Sequence, residues 1–300
     1  MPRTDRDTTA LRPLALSQGS LSRADGSAQF AFGPVAVLAS LTGPAEVRIR
    51  DELVDRATLE INVRPLRGQG GPALRTAEAT LSQLLAPLIL LHLYPRSLVQ
   101  LTLQTVSLPS TVFSKPFSTD PSAAGDVKGK GRAVPRGVGA GAGEKAARIN
   151  AAMMALVDAG VQCRGMVVAV AVAFVPFPSP SAAGGEEEEM RLDPSPAEED
   201  DATSTHVFAF SFGQGVGGVE GTCVGVDSVG TFSEEQLFDA QDLAQTACQT
   251  ILAFIRRSVE SKYGVQGAPP PAQVKAGGAA GAGAAAEEED DSDDEVMIDA

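Results

Sequence analysis

The feature that most limits what this chain can fold into is the continuous apolar run from Met166 to Phe174, flanked by turn residues. A segment with no polar member cannot alternate between solvent and core. It predicts a central strand buried on both faces. No apolar run in the chain reaches the roughly 18 residues needed to cross a bilayer, so no membrane partner is expected.

The pattern around this strand predicts an α+β unit. Ala28 to Phe32 and Val35 to Leu41, separated by Gly33-Pro34, read as a hairpin, and Ala57 to Arg64 as a third strand. The glycine-rich stretch Leu66 to Pro72 is a loop. From Thr76 to about His92, Leu81, Leu84, Leu85 and Leu88 recur at helical spacing, with Pro87 as a kink or boundary. Leu98 to Val106 alternates strictly, with Val99, Leu101, Leu103 and Thr105 on one face of a half-buried strand.

A second helix begins at Ala146, with Ile149, Ala152, Met153, Leu156 and Val157 on one stripe and Gly160 to close it. His206 to Phe212 and Gly221 to Val229 supply two further strands. Ser233 and Gln236 then form a capping box opening a long helix to about Tyr263. The order predicts a two-layer α+β fold, with helices packed on one side of a mixed sheet.

Ser110 to about Gly143 and Phe177 to about Met190 hold too little apolar surface to offset the entropy of ordering them, and are expected to be disordered insertions. A flexible start over residues 1–10 and a disordered acidic tail over 264–300 leave residues 11–263 as one folded unit. The net charge of −14 misleads, because 17 of the 38 acidic residues lie in Glu186 to Glu189, Glu198 to Asp201 and the stretch Glu287 to Asp299. The other 21 acids face 24 basic residues, so the folded part is near neutral and able to present a local basic surface.

Several function classes find little support. No Trp and two Tyr argue against an aromatic stacking platform for nucleic acid. Cys163, Cys223 and Cys248 lack the spacing of a disulfide framework or zinc site, which fits a reducing compartment, and the N-terminus has no apolar signal region. His92 and His206 are too few for a nucleophilic or metal site, and both are expected at the surface or at element boundaries.

Gly213, Gly215 and Gly218 satisfy G-x-G-x-x-G, but a strand follows where a dinucleotide site needs a helix, so they read as a turn. Consecutive carboxylates on flexible segments form no fixed coordination shell. No catalytic residue, metal or cofactor is expected. Arg64, Arg67, Arg75 and Arg96, at strand ends and in the glycine-rich loop, are candidates for phosphate contacts with RNA.

Read in order, LSRADGSA from Leu21 to Ala28, GPAEV from Gly43 to Val47, ATLE from Ala57 to Glu60, and YPRS from Tyr94 to Ser97 form a recognisable series. It continues with Asn150-Ala151-Ala152, Ala155 to Gly160, and Leu192-Asp193-Pro194. Over roughly residues 10 to 263 this series resembles the RNase PH family, in particular the RNase PH-like ring subunits of the eukaryotic RNA exosome. The resemblance implies the ribosomal protein S5 domain 2-like fold, six copies of which form a hexameric ring. It also implies other RNase PH-like subunits, RNA-binding cap subunits and RNA as partners, in nucleus, nucleolus and cytoplasm.

Active family members degrade RNA from its 3' end by phosphorolysis. They hold phosphate in a G-T-R turn just before the central helix and use nearby acids for metal binding and acid catalysis. The corresponding stretch here is Gly143-Glu144-Lys145, which places a carboxylate where phosphate should bind, and like charges repel. The acidic motif is thinned to Asp193, with Glu198 to Asp201 as partial substitutes for the next expected aspartate. The resemblance therefore implies a non-catalytic ring subunit that supports RNA processing and degradation. The rival reading is an active phosphate-dependent exoribonuclease or a hydrolytic nuclease.

Overall fold

The computed structural model describes residues 6–68, 71–109, 140–177, 187–213 and 218–264. The expected disordered insertions and tail fall mainly on 110–139, 178–186 and 265–300, outside the described residues. The α+β class is as expected, but the strands divide between two sheets, with one helix between them.

The first sheet has the order β1-β2-β3-β5-β4, built from β1 (Leu14–Gln18), β2 (Gly26–Phe32), β3 (Val35–Glu46), β4 (Thr58–Arg64) and β5 (Ser97–Ser107). β2 and β3 are the expected hairpin, with Phe32 opposite Val35. β1 was not legible, being five residues with no strong apolar run. β4 and β5 run parallel. Parallel neighbours need a crossover, and α1 (Pro72–Leu85) supplies it by packing on β4. α1 stops ahead of Pro87, whose ring cannot sit inside a helix. In β5, Val99, Leu101, Leu103 and Thr105 are buried, as the alternation requires.

The second sheet is antiparallel, in the order β7-β6-β8-β9, from β6 (Met166–Phe177), β7 (Glu187–Leu192), β8 (Ser204–Gly213) and β9 (Gly218–Gly230). β6 is interior and Val167 to Val175 are all buried. Glu187 to Met190, expected within an insertion, instead form most of edge strand β7. Backbone pairing at an edge tolerates polar residues, and Arg191 partners Glu189 at 2.7 Å.

α2 (Ala142–Asp158) packs against β2 and β3 of the first sheet and β6 and β8 of the second. One apolar stripe was expected; instead the helix is buried nearly all round, and Val157 alone of that stripe is exposed. Ala146, Ala147, Ala151, Ala152 and Ala155 carry no side chain beyond Cβ, so both sheets can approach it. This replaces the expected single sheet with helices on one side. The helix ends as expected: Gly160 takes φ +72°, and Val161 N–H donates to Leu156 O.

Three contacts lock α2 in place. Gly26 lies so close to its C-terminal end that an added Cβ would stand 2.5 Å from Ala155 O and from Ala159 N. Asp158 accepts from Ser27 N–H at 2.9 Å and from Lys262 Nζ at 2.7 Å. β7 pairs with β6 only from Val172 onward. At Ala169 the buried amide of Asn150 takes over, donating to Ala169 O at 2.9 Å and accepting from Ala169 N–H at 2.7 Å. The amide thus satisfies both backbone groups of Ala169 that β7 does not reach.

α3 (Pro196–Asp201) is a short helix opened by a Ser195/Glu198 capping box. α4 (Glu234–Tyr263) opens at the expected Ser233/Gln236 box, ends on Gly264 at φ +68°, and packs against β6, β8 and β9. No described helix is long and apolar enough to cross a membrane.

His206, expected at the surface or an element boundary, is fully buried between the rings of Phe174, Phe208 and Phe232, with Ser204 and Ser228 hydroxyls on its nitrogens. Burial penalises the imidazolium and lowers its pKa. Above about pH 6.5 the ring is neutral in folded and unfolded chain alike. Below that, the unfolded chain takes up a proton that the folded chain resists, so stability falls with pH. We expect the urea midpoint to drop between pH 7 and 5, with a shallower slope in His206→Gln. Equal slopes in the two proteins would sink this assignment.

Candidate functional site

A cavity of about 420 Å³ opens at the N-terminal end of α2, walled by α1, α3 and the β8–β9 hairpin. Its charged lining is Lys145, Arg148, Glu199, Asp200 and Asp227.

The first turn of α2 decides what this cavity can hold. Gly143, Glu144 and Lys145, expected in a turn before the helix, lie inside it, with Gly141 as N-cap. Glu144 does not face an incoming anion. Its carboxylate is buried and accepts from Thr105 Oγ1 and Arg148 Nη2, both at 2.6 Å. The N–H groups that the helix end leaves without an intrahelical acceptor are met by another acid: Ala142 N–H donates to Glu199 Oε2 at 3.2 Å and Gly143 N–H to Glu199 Oε1 at 3.0 Å. Lys145 Nζ bonds Asp227 Oδ2 at 2.7 Å. The expected carboxylate at the helix end is therefore present, but it is Glu199, not Glu144.

Asp193 is structural in its contacts. It is 1% exposed, sits at φ +47°, and accepts from the backbone N–H and Nε of Arg12, both at 2.9 Å, and from Arg12 Nη2. Arg6 Nη2 donates to its carbonyl at 2.6 Å, and Leu192 N–H to Thr8 O at 2.8 Å. Residues 6–10, expected to be flexible, are therefore pinned to the turn at Asp193. Glu198 is engaged as well, accepting from Ser195 N–H at 2.7 Å and Arg191 Nη1 at 3.2 Å.

The four candidate arginines do not form one cluster. Arg64 ends β4, Arg67 follows it, and Arg75 lies on the first turns of α1; all three are exposed at the same end of that strand. Arg96 precedes β5 at the opposite end, eight residues before Gln104, the register partner of Arg64, and so about 26 Å away at ~3.3 Å per strand residue, with its Nε 3.4 Å from Glu52. Burial pushes the Cys163 thiol up to about 11 and also raises Cys223 and Cys248, so none is a thiolate at neutral pH.

The model of the 3' exoribonuclease family, domain 1 (RNase PH), matches residues 10–162. The chain belongs to the RNase PH family. Among its relatives, the Saccharomyces cerevisiae exosome complex component RRP46 is 31% identical over 242 residues, covering 81% of this chain and 93% of the relative. The Oryza sativa exosome complex exonuclease RRP46 homolog is 34% identical over 101 residues, 34% of this chain and 42% of the relative. The crystal structure of rice Rrp46 superposes with a TM-score of 0.64 at 25% identity, over 85% of this chain and 98% of the rice chain.

Within the RNase PH family, the short R-x-D-G-S-A start, the G-P-A-E-V block and the L-D-P turn point to this same ribosomal RNA processing protein 46 type. The structure explains what several residues of this motif series do. Gly26, Ser27, Asn150 and Asp158 seat α2 against the sheets, Asp25 accepts from Gly43 N–H at 2.8 Å beside a β-bulge, and Asp193 anchors the N-terminal segment.

Proposed function

We propose that this chain is a ring subunit of an RNA exosome that supports 3'-to-5' RNA processing and degradation without performing phosphorolysis itself. The observation that carries the first half is the length of the likeness: the match spans nearly the whole of the yeast exosome component RRP46. A subunit can keep the surfaces of an assembly while losing its chemistry.

The second half rests on the cavity. A phosphorolytic site needs an open anion cradle and acids free to act. Here the α2 N-terminus is met by Glu199, while Asp193 and Glu198 are committed to arginines and capping bonds. The partners on this reading are other RNase PH-like subunits, RNA-binding cap subunits and RNA, in nucleus, nucleolus and cytoplasm. Arg64, Arg67 and Arg75 form the RNA-facing group, through phosphate contacts that position the strand without reading its sequence. Arg96 belongs to the opposite end.

The name of the rice relative, an exonuclease homolog, keeps the rival reading worth a direct test. Purified full chain incubated with labelled RNA, with and without phosphate and Mg²⁺, is expected to release no nucleoside diphosphates. Phosphate-dependent release would refute inactivity. Native mass spectrometry of the affinity-purified chain should show other ring subunits, and their absence would refute the assembly.

A further inference from the structure

We infer that Glu199 is a built-in anion: its carboxylate occupies an oxyanion cradle at the N-terminus of α2 and keeps free phosphate out. The inference rests on the reading of the cavity given above and adds the means by which the site is closed.

The cradle is shaped for an oxyanion. Two consecutive backbone N–H groups, of Ala142 and Gly143, point at the two oxygens of one carboxylate. The positive end of α2 favours negative charge at this point. The flanking glycines leave room for it. A Cβ on Gly141 would clash with Glu199 Oε2, and a Cβ on Gly143 would stand 2.8 Å from Arg12 Nη2 and 3.4 Å from Glu199 Oε1. Any larger residue at either position would push the anion away.

A second observation points to an anion independently of the helix end. Arg12 is 6% exposed and its guanidinium lies against Gly143, yet its Nη1 has no hydrogen-bond partner among the described residues. Arg148, which lines the cavity and is 3% exposed, also has an unpartnered Nε. A buried guanidinium N–H without an acceptor is costly. Two such donors, one on the guanidinium against Gly143 and one in the cavity wall, are left without an acceptor while Glu199 holds the cradle. A tetrahedral oxyanion offers more acceptor oxygens than Glu199 does.

Glu199 reaches the cradle from α3, a separate element, and it is tethered. The Ser195/Glu198 capping box fixes α3, and Glu198 is held by Arg191. An intramolecular carboxylate so placed competes with phosphate at a high effective concentration. Free phosphate must displace it and leave its charge nearby.

The test is phosphate binding by the full chain, measured calorimetrically and as a shift in Tm, with chloride at matched ionic strength as control. Glu199→Ala is expected to bind inorganic phosphate at least tenfold more tightly than the wild type. Glu199→Gln, which keeps the side-chain shape but not the charge, should fall between them and serves if the alanine variant does not fold. Wild-type and variant affinities that agree would overturn the inference.

A short oligoribonucleotide forms the second arm. RNA binding gained without any gain for inorganic phosphate would place the charge effect on an outer surface and also overturn it. The outcomes separate from those of the proposed function. Nucleoside diphosphates released by the wild type refute inactivity, whereas an inactive wild type with no phosphate gain in Glu199→Ala refutes the plug alone.

Discussion

Arg12→Ala is expected to lower the unfolding free energy by about 3 kcal/mol, because it leaves the carboxylate of Asp193 buried without its main counter-charge. Asp193 is 1% exposed and takes three hydrogen bonds from Arg12, two of them through the guanidinium. The backbone N–H survives the substitution, and Arg6 remains 4.0 Å away, which places the loss at the lower end of the ~3–5 kcal/mol typical of breaking a buried pair. The guanidinium also lies 6.0 Å from the Phe32 ring centre, so packing is lost with the charge. At roughly 2–4 °C per kcal/mol for a folded unit of this size, Tm should fall by about 6–12 °C.

A double-mutant cycle sharpens the Arg12 result. Asp193→Asn removes the charge that Arg12→Ala strands, so the double variant should lose clearly less than the sum of the singles. Urea denaturation measures all four proteins. An Arg12→Ala variant within about 0.5 kcal/mol of the wild type, the range of ordinary surface changes, would show that the pair does not anchor the N-terminal segment.

Gly26→Ala is expected to be comparably damaging, for a steric reason. The new methyl would stand 2.5 Å from Ala155 O, Ala159 N and Ala159 Cβ. Two of those three atoms are backbone, so no rotamer change relieves the contact, and the end of α2 must move away from β2. Overpacking a core typically costs about 1–3 kcal/mol, and an obstruction made of backbone belongs at the top of that range. The shift would also strain the Ser27 to Asp158 hydrogen bond one residue away. Gly71→Ala, whose added methyl meets nothing within 4 Å, is the control. Tm values that agree between the two variants would rule out close approach as the role of Gly26.

Much of the fold was readable from local chemistry. β6 announced itself because a wholly apolar run has nowhere else to go, and it is an interior strand of its sheet. The Ser233/Gln236 box and Gly160 were legible because a helix end needs side-chain or left-handed caps that few residues supply. β1, β7 and α3 escaped because short edge elements draw their stability from the neighbour they pair with or pack on. Even so, Ser195-Pro196 with Glu198 was a readable helix start.

The site was legible in kind but not in its members. A carboxylate does meet the α2 N-terminus, but Glu144, adjacent in sequence, is turned inward by Thr105 and Arg148, while Glu199 arrives from 56 residues away. The sequence by itself determined the strand and helix types and the family, since these follow from periodicity, capping residues and an ordered series of motifs. Tertiary structure alone decided that α2 lies between two sheets, which arginines share an end, and which acid holds the helix terminus. Those outcomes depend on contacts between distant segments, where a buried charge takes whichever partner the packing brings within reach.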